Sequence, residues 1–205
     1  GIAWNGTVFA AVAWSGTGNR VMTSPDGITW TSRTSAADNS WFGIAWNGTV
    51  FAAVSTDGTD RVMTSPDGIT WTSRSAVTGG WRWVAWNGTV FCAVGDTGAV
   101  MTSPDGTTWT SRTSNVTNNL NSVAWNGTVF AAVAAQGTGN RVITSPDGIT
   151  WTVRTSAADN EWEGIAWNGL GTGTTLLLPA AGSGSVFAAV SQSGTGNRVM
   201  TCQFN

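Results

Sequence analysis

The sequence contains no histidine, no lysine and no tyrosine among its 205 residues, and each absence excludes a kind of chemistry. Without histidine there is no histidine general base, no Ser-His-Asp triad and no histidine-ligated metal. Without lysine there is no Schiff base and no Walker lysine for phosphate. Without tyrosine there is no nucleophile of the sialidase kind. We therefore expect a protein that is not an enzyme, with no catalytic residues, no metal and no cofactor.

Charge is also scarce, since charged residues make up 10% of the chain and the formal net charge is −2. A nucleic-acid-binding surface needs an excess of basic residues, so we expect no nucleic-acid partner. The longest apolar stretch, Leu176 to Ala181, is far shorter than the roughly 20 residues of a membrane helix. We therefore expect no membrane insertion.

Cysteine is too rare to form a disulfide framework, because the chain has only Cys92 and Cys202. The other repeats have alanine or serine at these two places. We therefore predict two unpaired small fillers, with a disulfide between them as the alternative. The sequence begins at Gly1 without methionine or a leader, which indicates a processed product, a fragment or an engineered product.

The strongest signal in the sequence is an internal repeat. The residues Ala-Trp-Asn-Gly occur five times, at spacings of 42, 40, 39 and 42 residues, with their tryptophans at Trp4, Trp46, Trp86, Trp125 and Trp167. Val-Phe-(Ala/Cys)-Ala-Val and then Val-(Met/Ile)-Thr follow in every copy. Such a period predicts five structural units of about 41 residues in one domain spanning 1–205. The units start near residues 1, 41, 81, 120 and 162.

Each unit divides into four short extended segments, which in unit two are residues 41–46, 49–54, 61–65 and 69–74. Asn47-Gly48 favours a tight hairpin with positive φ. Pro66-Asp67-Gly68 favours a second turn, because proline presets φ and glycine accepts the left-handed conformation. The second segment is apolar on both faces, which predicts burial on both sides. The fourth carries threonine on one face, as expected of an exposed outer strand.

Four antiparallel strands in about 40 residues, repeated along the chain, are typical of a β-propeller. We therefore predict an all-β fold, a five-bladed β-propeller with one four-stranded blade per unit. A ring of blades covers each sheet on both faces, with small residues near the axis and tryptophans between the blades further out. A solenoid of stacked β units is the alternative, although it usually needs capping units with polar outer faces.

The Ser-Pro-Asp-Gly-(Ile/Thr)-Thr-Trp segments resemble the Asp boxes of BNR-type β-propellers, and they lie at 24–30, 65–71, 103–109 and 145–151. The resemblance covers nearly the whole chain and implies that these turns join the third and fourth strands of a blade. The usual box has one more residue between Asp and Gly, so this form is shortened. Similar repeats occur in phage tail proteins and in secreted or surface bacterial proteins, which implies an extracellular, cell-surface or virion location. The arginine triad, tyrosine and acid pair of the family's sialidases have no counterparts here.

Unit five departs from the repeat twice. An insertion at residues 170–185 replaces a single threonine of the first hairpin, and it carries three consecutive leucines at Leu176 to Leu178. We expect it either to bind a partner or to fold over the ring. The unit also lacks a fourth segment after Thr201, so we predict a last blade without its outer strand. Ring closure would then depend on packing between units one and five, and the open edge would need cover.

The loops between units combine an aromatic ring with amide and carboxylate groups. This is the chemistry of sugar binding, in which the ring stacks on a pyranose and the polar groups bind hydroxyls. We predict ligand-binding residues at Trp41, Trp81, Trp162, Asp38, Asn39, Asp159 and Asn160. Inter-blade packing is the alternative role for the three tryptophans. Trp14 and Trp83 lie outside the repeat pattern, so fold symmetry does not explain them and they are the best single candidates for a contact surface.

The remaining charged residues have plainer expected roles. We predict a structural role in the turns for Asp26, Asp67, Asp105 and Asp147, with no cluster of oxygen ligands to bind calcium. Glu161 and Glu163 are expected to be a solvated pair, although a glycosidase would use two such groups. Two sets of arginines recur, one opening the third segment and one ending the fourth. They are expected to pair with aspartates or carbonyls across blades, with binding of anionic groups as the alternative.

These observations favour a non-enzymatic binding module. Multivalent glycan binding ranks first, because near-identical units would give several near-identical weak sites. A structural or adhesive component of a virion, such as a phage tail or capsid decoration, or of a cell-surface assembly is the alternative. A laboratory-made consensus repeat without a ligand is a third hypothesis. The expected partners are glycans, or another protein chain at the open last blade and at the 170–185 insertion.

Overall fold

The computed structural model describes residues 1–167, 185–194 and 198–204, in which nineteen short strands form five antiparallel sheets. We number the strands along the chain and call the sheets blades one to five. Blades one and two comprise β1 (Ile2–Trp4), β2 (Phe9–Val12), β3 (Val21–Ser24), β4 (Thr31–Arg33), β5 (Trp41–Trp46), β6 (Phe51–Ser55), β7 (Val62–Ser65) and β8 (Thr72–Arg74). Blade three comprises β9 (Trp81–Trp86), β10 (Phe91–Gly95), β11 (Val100–Ser103) and β12 (Thr110–Arg112), with one 3-10 turn at Asp96–Gly98. Blades four and five comprise β13 (Leu120–Trp125), β14 (Phe130–Ala134), β15 (Val142–Ser145), β16 (Thr152–Arg154), β17 (Trp162–Trp167), β18 (Ser185–Ser191) and β19 (Val199–Phe204).

This arrangement confirms the predicted fold class, an all-β five-bladed β-propeller whose last blade has three strands. The strands of each blade pair in chain order, and the first strands of successive blades contact one another. Glycine allows a close approach of this kind, because a β-carbon on Gly43 would lie 2.6 Å from the Cα atom of Trp83 in the next blade. Small residues near the axis therefore let the blades come together, as predicted.

The Asn-Gly hairpins of blades one to four form as predicted. In blade two the side-chain oxygen of Asn47 accepts the backbone N–H groups of Thr49 and Val50, at 2.8 and 2.7 Å. Gly48 has φ +100°, a conformation that a residue with a side chain rarely adopts. The turn thus fixes the register of the first two strands, in which Trp46 pairs with Phe51.

The Pro-Asp-Gly turns join the third and fourth strands of blades one to four. In blade two the hydroxyl of Ser65 accepts the Gly68 N–H at 2.8 Å, and Gly68 has φ +77°. A carboxylate oxygen of Asp67 accepts the N–H groups of Ile69 and Thr70, at 2.8 and 2.9 Å. The predicted start of the fourth strand at Ile69 is therefore wrong. The strand begins at Thr72 because Asp67 holds the N–H groups that would otherwise enter the ladder.

The hydrophobic cores lie between blades, and each is built from the same two surfaces. We call the sheet face turned toward the next blade the forward face, and in blade one it carries Ala10, Val12 and Val21. We call the opposite face the rear face, and in blade two it carries Ile44, Phe51, Ala53 and Met63. The same pairing of forward and rear faces recurs at the other three interfaces. Because successive side chains of an apolar strand point to opposite faces of the sheet, one strand contributes to two different cores.

The terminal blades each have one uncovered face. On the rear face of blade one, Ile2 is 55% exposed and Met22 is also exposed, whereas their counterparts Ile44 and Met63 are buried. On the forward face of blade five, Val199 is 65% exposed, and Ala188 and Val190 are exposed too. The expected packing of unit one on unit five is therefore wrong for the described residues. Both faces that it would bury remain open to solvent.

Two other predictions concern unit five and the cysteines. The 170–185 insertion lies outside the described residues except for Ser185, where β18 begins. Cys92 is a buried free thiol whose burial raises its pKa, so it fills a core position as predicted. The side chain of Cys202 lies outside the described part of the chain.

We expect Phe91→Ala to lower the free energy of unfolding by about 3–5 kcal/mol, because it removes a fully buried ring from the core between blades two and three. Chemical denaturation followed by tryptophan fluorescence measures the loss. The control Ile28→Ala removes an exposed side chain and should change stability by less than about 0.5 kcal/mol. Equal losses in the two variants would contradict the described core.

Candidate functional site

The three predicted loop tryptophans are buried. Trp41, Trp81 and Trp162 are each 1% exposed and lie in the cores between blades. Their indole N–H groups donate to backbone carbonyls within the same loops, at Ala37, Val77 and Ala158. A ring enclosed in this way offers no face to a sugar, so the expectation that these rings are available for stacking is corrected. They fulfil the packing role that was the alternative.

The predicted polar residues of the loops bind the chain itself. Asp38 accepts the Gly18 N–H at 2.7 Å, and Asp159 accepts the Gly139 N–H at the same distance. The side chain of Asn39 is buried and donates to the Asp60 carbonyl at 2.6 Å, and Asn160 is buried too. These contacts join each loop to the connectors between second and third strands. We call this end of the propeller the connector rim.

The arginines opening the third strands hold the connectors in place. The Nε atoms of Arg20, Arg61 and Arg141 donate to the carbonyls of Gly16, Gly58 and Gly137. Arg20 and Arg141 also lie 3.7 and 3.6 Å from Asp38 and Asp159. The arginines ending the fourth strands donate to threonine hydroxyls of the third strands, as Arg74 does to Thr64 at 2.9 Å. The first set pairs with carbonyls and aspartates, but the Nε bonds go to the connector of the same blade and not across blades as predicted. The second set pairs with threonine of its own blade.

Trp14 is the predicted site residue that lies most openly in solvent. It is 67% exposed on the connector rim, and its carbonyl accepts a hydrogen bond from Arg20 at 3.2 Å. Trp83 is half-buried against the core between blades three and four. Glu161 is exposed, whereas Glu163 accepts a hydrogen bond from Asn121 at 3.1 Å. The two glutamates therefore do not form a matched solvated pair.

The turn aspartates are acceptors within their own turns. Backbone N–H groups of Thr29 and Ile28, together with the Ser24 hydroxyl, hold the pKa of Asp26 below its usual value. The hydroxyl of Thr107 and neighbouring N–H groups lower the pKa of Asp105 in the same way. Within the described part of the chain, no group of three or more histidine, cysteine, aspartate or glutamate side chains could hold a metal ion. The turn aspartates thus have the structural role that was predicted.

A cavity of about 530 Å³ lies between blades four and five. Its wall is formed by the forward face of blade four and the rear face of blade five, including Ala131, Thr144, Ile165, Phe187 and Met200. The volume falls within the roughly 300–1,000 Å³ of ligand pockets. The sequence indicated the missing fourth strand of blade five but not this cavity, because the lining residues are ordinary repeat residues.

The sequence also did not indicate that the rear face of blade one and the forward face of blade five would be uncovered apolar surfaces. Ile2 and Met22, like Val190 and Val199, match buried core positions of the other repeats. Only their place in the first or last blade leaves them exposed. The described residues include no helix long and apolar enough to cross a membrane. Among the surface features that remain are the two faces, the cavity and Trp14.

The chain is similar in fold to several solved structures of low sequence identity. It matches YCF48, solved with a bound D1 peptide, at a TM-score of 0.62 and 15% identity, over 98% of this chain and 66% of that one. It matches the computationally designed Ika8 protein at 0.65 and 11%, over 98% and 57%. It matches the extracellular domain of the putative one-component system BT4673 from B. thetaiotaomicron at 0.67 and 10%, over 100% and 27%.

These similarities support a β-propeller repeat fold. The chain spans 66%, 57% and 27% of the lengths of the three proteins. No known family model matches the sequence, and no curated protein does so either. We therefore infer the function from the surfaces of this chain.

We expect the protein to lose stability as the pH falls below about 4. The turn aspartates have native pKa values below the roughly 3.9 of an unfolded aspartate, so their contribution is complete above that pH. It is lost as the pH falls through the native values, because the unfolded chain then binds more protons. Thermal melts from pH 7 to pH 2 measure this loss. Asp105→Asn should flatten the acid limb, and an acid limb of unchanged steepness in that variant would contradict the assignment.

Proposed function

We propose that the protein is a non-enzymatic assembly module whose terminal blades join it head to tail to further copies of itself. The observation that carries this proposal is the pair of uncovered apolar faces, which are the rear face of blade one and the forward face of blade five. Exposed apolar patches of this kind mark protein-binding surfaces. A partner must cover both faces if the apolar side chains are to leave water.

The chain itself indicates which partner fits. Within the described residues, the forward faces of blades one to four each pack on the rear face of the next blade. Val199 and Val190 stand where Val62 and Val54 are buried against blade three, and Ile2 stands where Ile44 is buried against blade one. The two open faces are therefore the two halves of one interface already used four times. A second copy supplies the missing half at each end.

Contacts between unlike faces are heterologous, and such contacts form closed rings or open filaments. This geometry suits a structural or adhesive component of a virion or cell-surface assembly at an extracellular location. We also assign the Pro-Asp-Gly turns to a shortened form of the Asp box. The YCF48 structure contains a bound peptide, and this supports protein partners for a propeller of this kind.

A pair of blocking variants tests the proposal. Ile2→Glu places a carboxylate on the rear face of blade one, and Val199→Glu places one on the forward face of blade five. We expect the unmodified protein to associate with rising concentration in sedimentation velocity, and each variant to sediment as a monomer. When the two variants are mixed, each retains the face that the other lacks. The mixture should therefore form a one-to-one dimer.

Ile69→Glu is the matched control, because Ile69 is 48% exposed on a turn of blade two, away from both faces. It should associate like the unmodified protein. A monomer at all concentrations for the unmodified protein would refute the proposal. Failure of the mixed variants to pair would also refute it, since a head-to-tail contact requires them to do so.

Glycan binding remains a second candidate, and it now depends on Trp14. This ring is exposed on the connector rim beside the Arg20–Asp38 pair, where a sugar could stack on the ring and hydrogen-bond the charged groups. The buried loop tryptophans no longer contribute to it. The expected site is therefore single, rather than the several equivalent sites that the repeat suggested.

A glycan array followed by fluorescence titration tests this candidate. We expect Trp14→Ala to weaken binding of any positive glycan by about tenfold, because it removes the stacking surface. Trp4→Ala is the control, since Trp4 is also an exposed tryptophan but lies in a repeat position of β1. Equal binding by both variants, or no binding to any glycan by the folded protein, would rule out the Trp14 site.

A further inference from the structure

The connector of blade three is shorter than the connectors of blades one, two and four. Residues 96–99 join β10 to β11 in blade three, whereas residues 135–141 join the equivalent strands of blade four. Ala99 stands where Arg20 and Arg141 open the third strands of their blades. The chain therefore departs from its own repeat at a place in the middle of the described residues.

The loop that follows blade three departs from the repeat beside this connector. Thr117 stands where the loops after blades one and four have Asp38 and Asp159. Those aspartates lie 3.7 and 3.6 Å from the arginines that open the third strands of blades one and four. Neither Ala99 nor Thr117 carries a charge, so this ion pair is lost after blade three. Uncharged and exposed surface takes its place.

An opening of about 520 Å³ lies at this place, and we call it the polar recess. Its polar side chains come from the end of β12, from the loop that follows and from the connector of blade four, at Arg112, Thr113, Asn115, Thr117 and Asn140. The two threonines and Asn115 are exposed, and the other two are half-buried. A ligand can therefore reach them from solvent. The volume falls within the roughly 300–1,000 Å³ of ligand pockets.

Hydrogen bonds to the protein hold the polar recess in shape and leave several of its donors free. The Nε atom of Arg112 donates to Thr102 at 2.9 Å, and within the described residues no hydrogen bond or ion pair engages its terminal nitrogens. The side-chain nitrogen of Asn115 donates to the Trp151 carbonyl at 3.2 Å, which fixes this amide against blade four. The side-chain oxygen of Asn140 accepts a hydrogen bond from the loop at 3.2 Å, so its amide nitrogen is the end that stays available.

The free groups of the polar recess are mostly hydrogen-bond donors. They are the terminal guanidinium nitrogens of Arg112, the amide nitrogen of Asn140, and two threonine hydroxyls that both donate and accept. Of the described residues that line the recess, none is an aspartate or a glutamate. A guanidinium matches a planar carboxylate, which accepts two parallel hydrogen bonds from it. The lining therefore favours a ligand that carries a carboxylate and further oxygen atoms.

Val116 supplies an apolar surface between these polar groups. It lines the polar recess, is half-buried and packs against the core between blades three and four. Ligand sites commonly combine an apolar surface with a few polar groups that fix orientation. A sugar ring has an apolar C–H face and hydroxyls at its edge, so it matches both parts of the lining. A simple inorganic anion would leave Val116 and most of the 520 Å³ unused.

We propose that the polar recess binds a carboxylated sugar of the uronic acid kind. The carboxylate pairs with the terminal nitrogens of Arg112, the ring lies on Val116, and the ring hydroxyls bond to the two threonines and Asn140. The site lies between blades three and four, so it is separate from the two uncovered faces and from Trp14 in blade one. It adds a ligand to the assembly module and does not depend on the assembly.

Titration of the isotope-labelled full chain with D-glucuronic acid at neutral pH tests the proposal by NMR. We expect saturable shifts of the backbone amide signals of residues 112–117 and 140, with a dissociation constant of about 1 mM. D-glucose lacks the carboxylate and acetate lacks the ring, so each should bind at least about tenfold more weakly. Equal affinity for acetate would mean that the recess takes an adventitious anion only, and it would overturn the assignment.

A pair of arginine variants locates the carboxylate. Arg112→Gln removes the charge and should weaken binding of D-glucuronic acid by about tenfold or more. Arg74→Gln is the matched control, because Arg74 is also half-buried and its Nε atom donates to a threonine of the neighbouring strand at the same distance of 2.9 Å. The control should bind like the unmodified protein. Equal affinities of the two variants would contradict the proposed role of Arg112.

Thr117→Asp tests the site with a residue that the fold already accepts. Asp38 and Asp159 occupy the equivalent position of two other loops, so this variant is expected to fold even where Arg112→Gln does not. Its carboxylate should repel that of the ligand and reduce binding by at least about tenfold. Thermal melts and circular dichroism establish that each variant is folded. Unchanged affinity in this variant would overturn the site.

Two further results would overturn the proposal, namely the absence of saturable shifts and shifts confined to other parts of the chain. Neither result bears on the head-to-tail association, which sedimentation of the face variants measures separately. A chain that remains monomeric and binds D-glucuronic acid at the polar recess refutes the assembly function and supports this site. Trp14→Ala should leave this binding unchanged, which separates the site from the glycan candidate on blade one.

Discussion

Burial of both faces of each sheet is the constraint on which the rest of the structure depends. The second strands carry apolar residues without interruption, so Ala52 and Val54 point to one neighbour while Phe51 and Ala53 point to the other. No single blade can cover these two surfaces. Blades two to four are stabilised because the blades before and after them exclude water from both faces. The close approach at Gly43 and the large indoles further out both follow from this stacking of blades.

The same constraint explains why so few polar groups are available for chemistry. A chain with 10% charged residues uses many of them to hold its loops. Arg61 and its counterparts bind connector carbonyls, Asp38 and Asp159 bind loop N–H groups, and the turn aspartates bind their own turns. Each of these groups meets a hydrogen-bonding need created by a short turn between buried strands. The polar residues thus maintain the blade spacing on which the cores depend.

Local sequence signals predicted the parts of the fold that are decided locally. The Asn-Gly hairpins and the Pro-Asp-Gly turns depend on residues that are neighbours in the chain, and those of blades one to four formed as expected. The fourth strand began later than predicted because the side chain of Asp67 competes with the ladder for two N–H groups. The loop tryptophans were placed in solvent because Trp41 follows polar residues in the chain. Its burial is decided by blade one, which the local sequence does not describe.

Repetition makes this chain informative about its own partners. In a protein without repeats, an open face or cavity does not indicate what it binds, whereas here each open surface has filled copies elsewhere in the same molecule. The exposed Val199 has a buried counterpart in Val62, and the exposed Ile2 has a buried counterpart in Ile44. The occupant of the filled copy defines the shape and chemistry that fit the open one. A blade fits the uncovered faces, because the sequence has already selected these surfaces for contact with a blade.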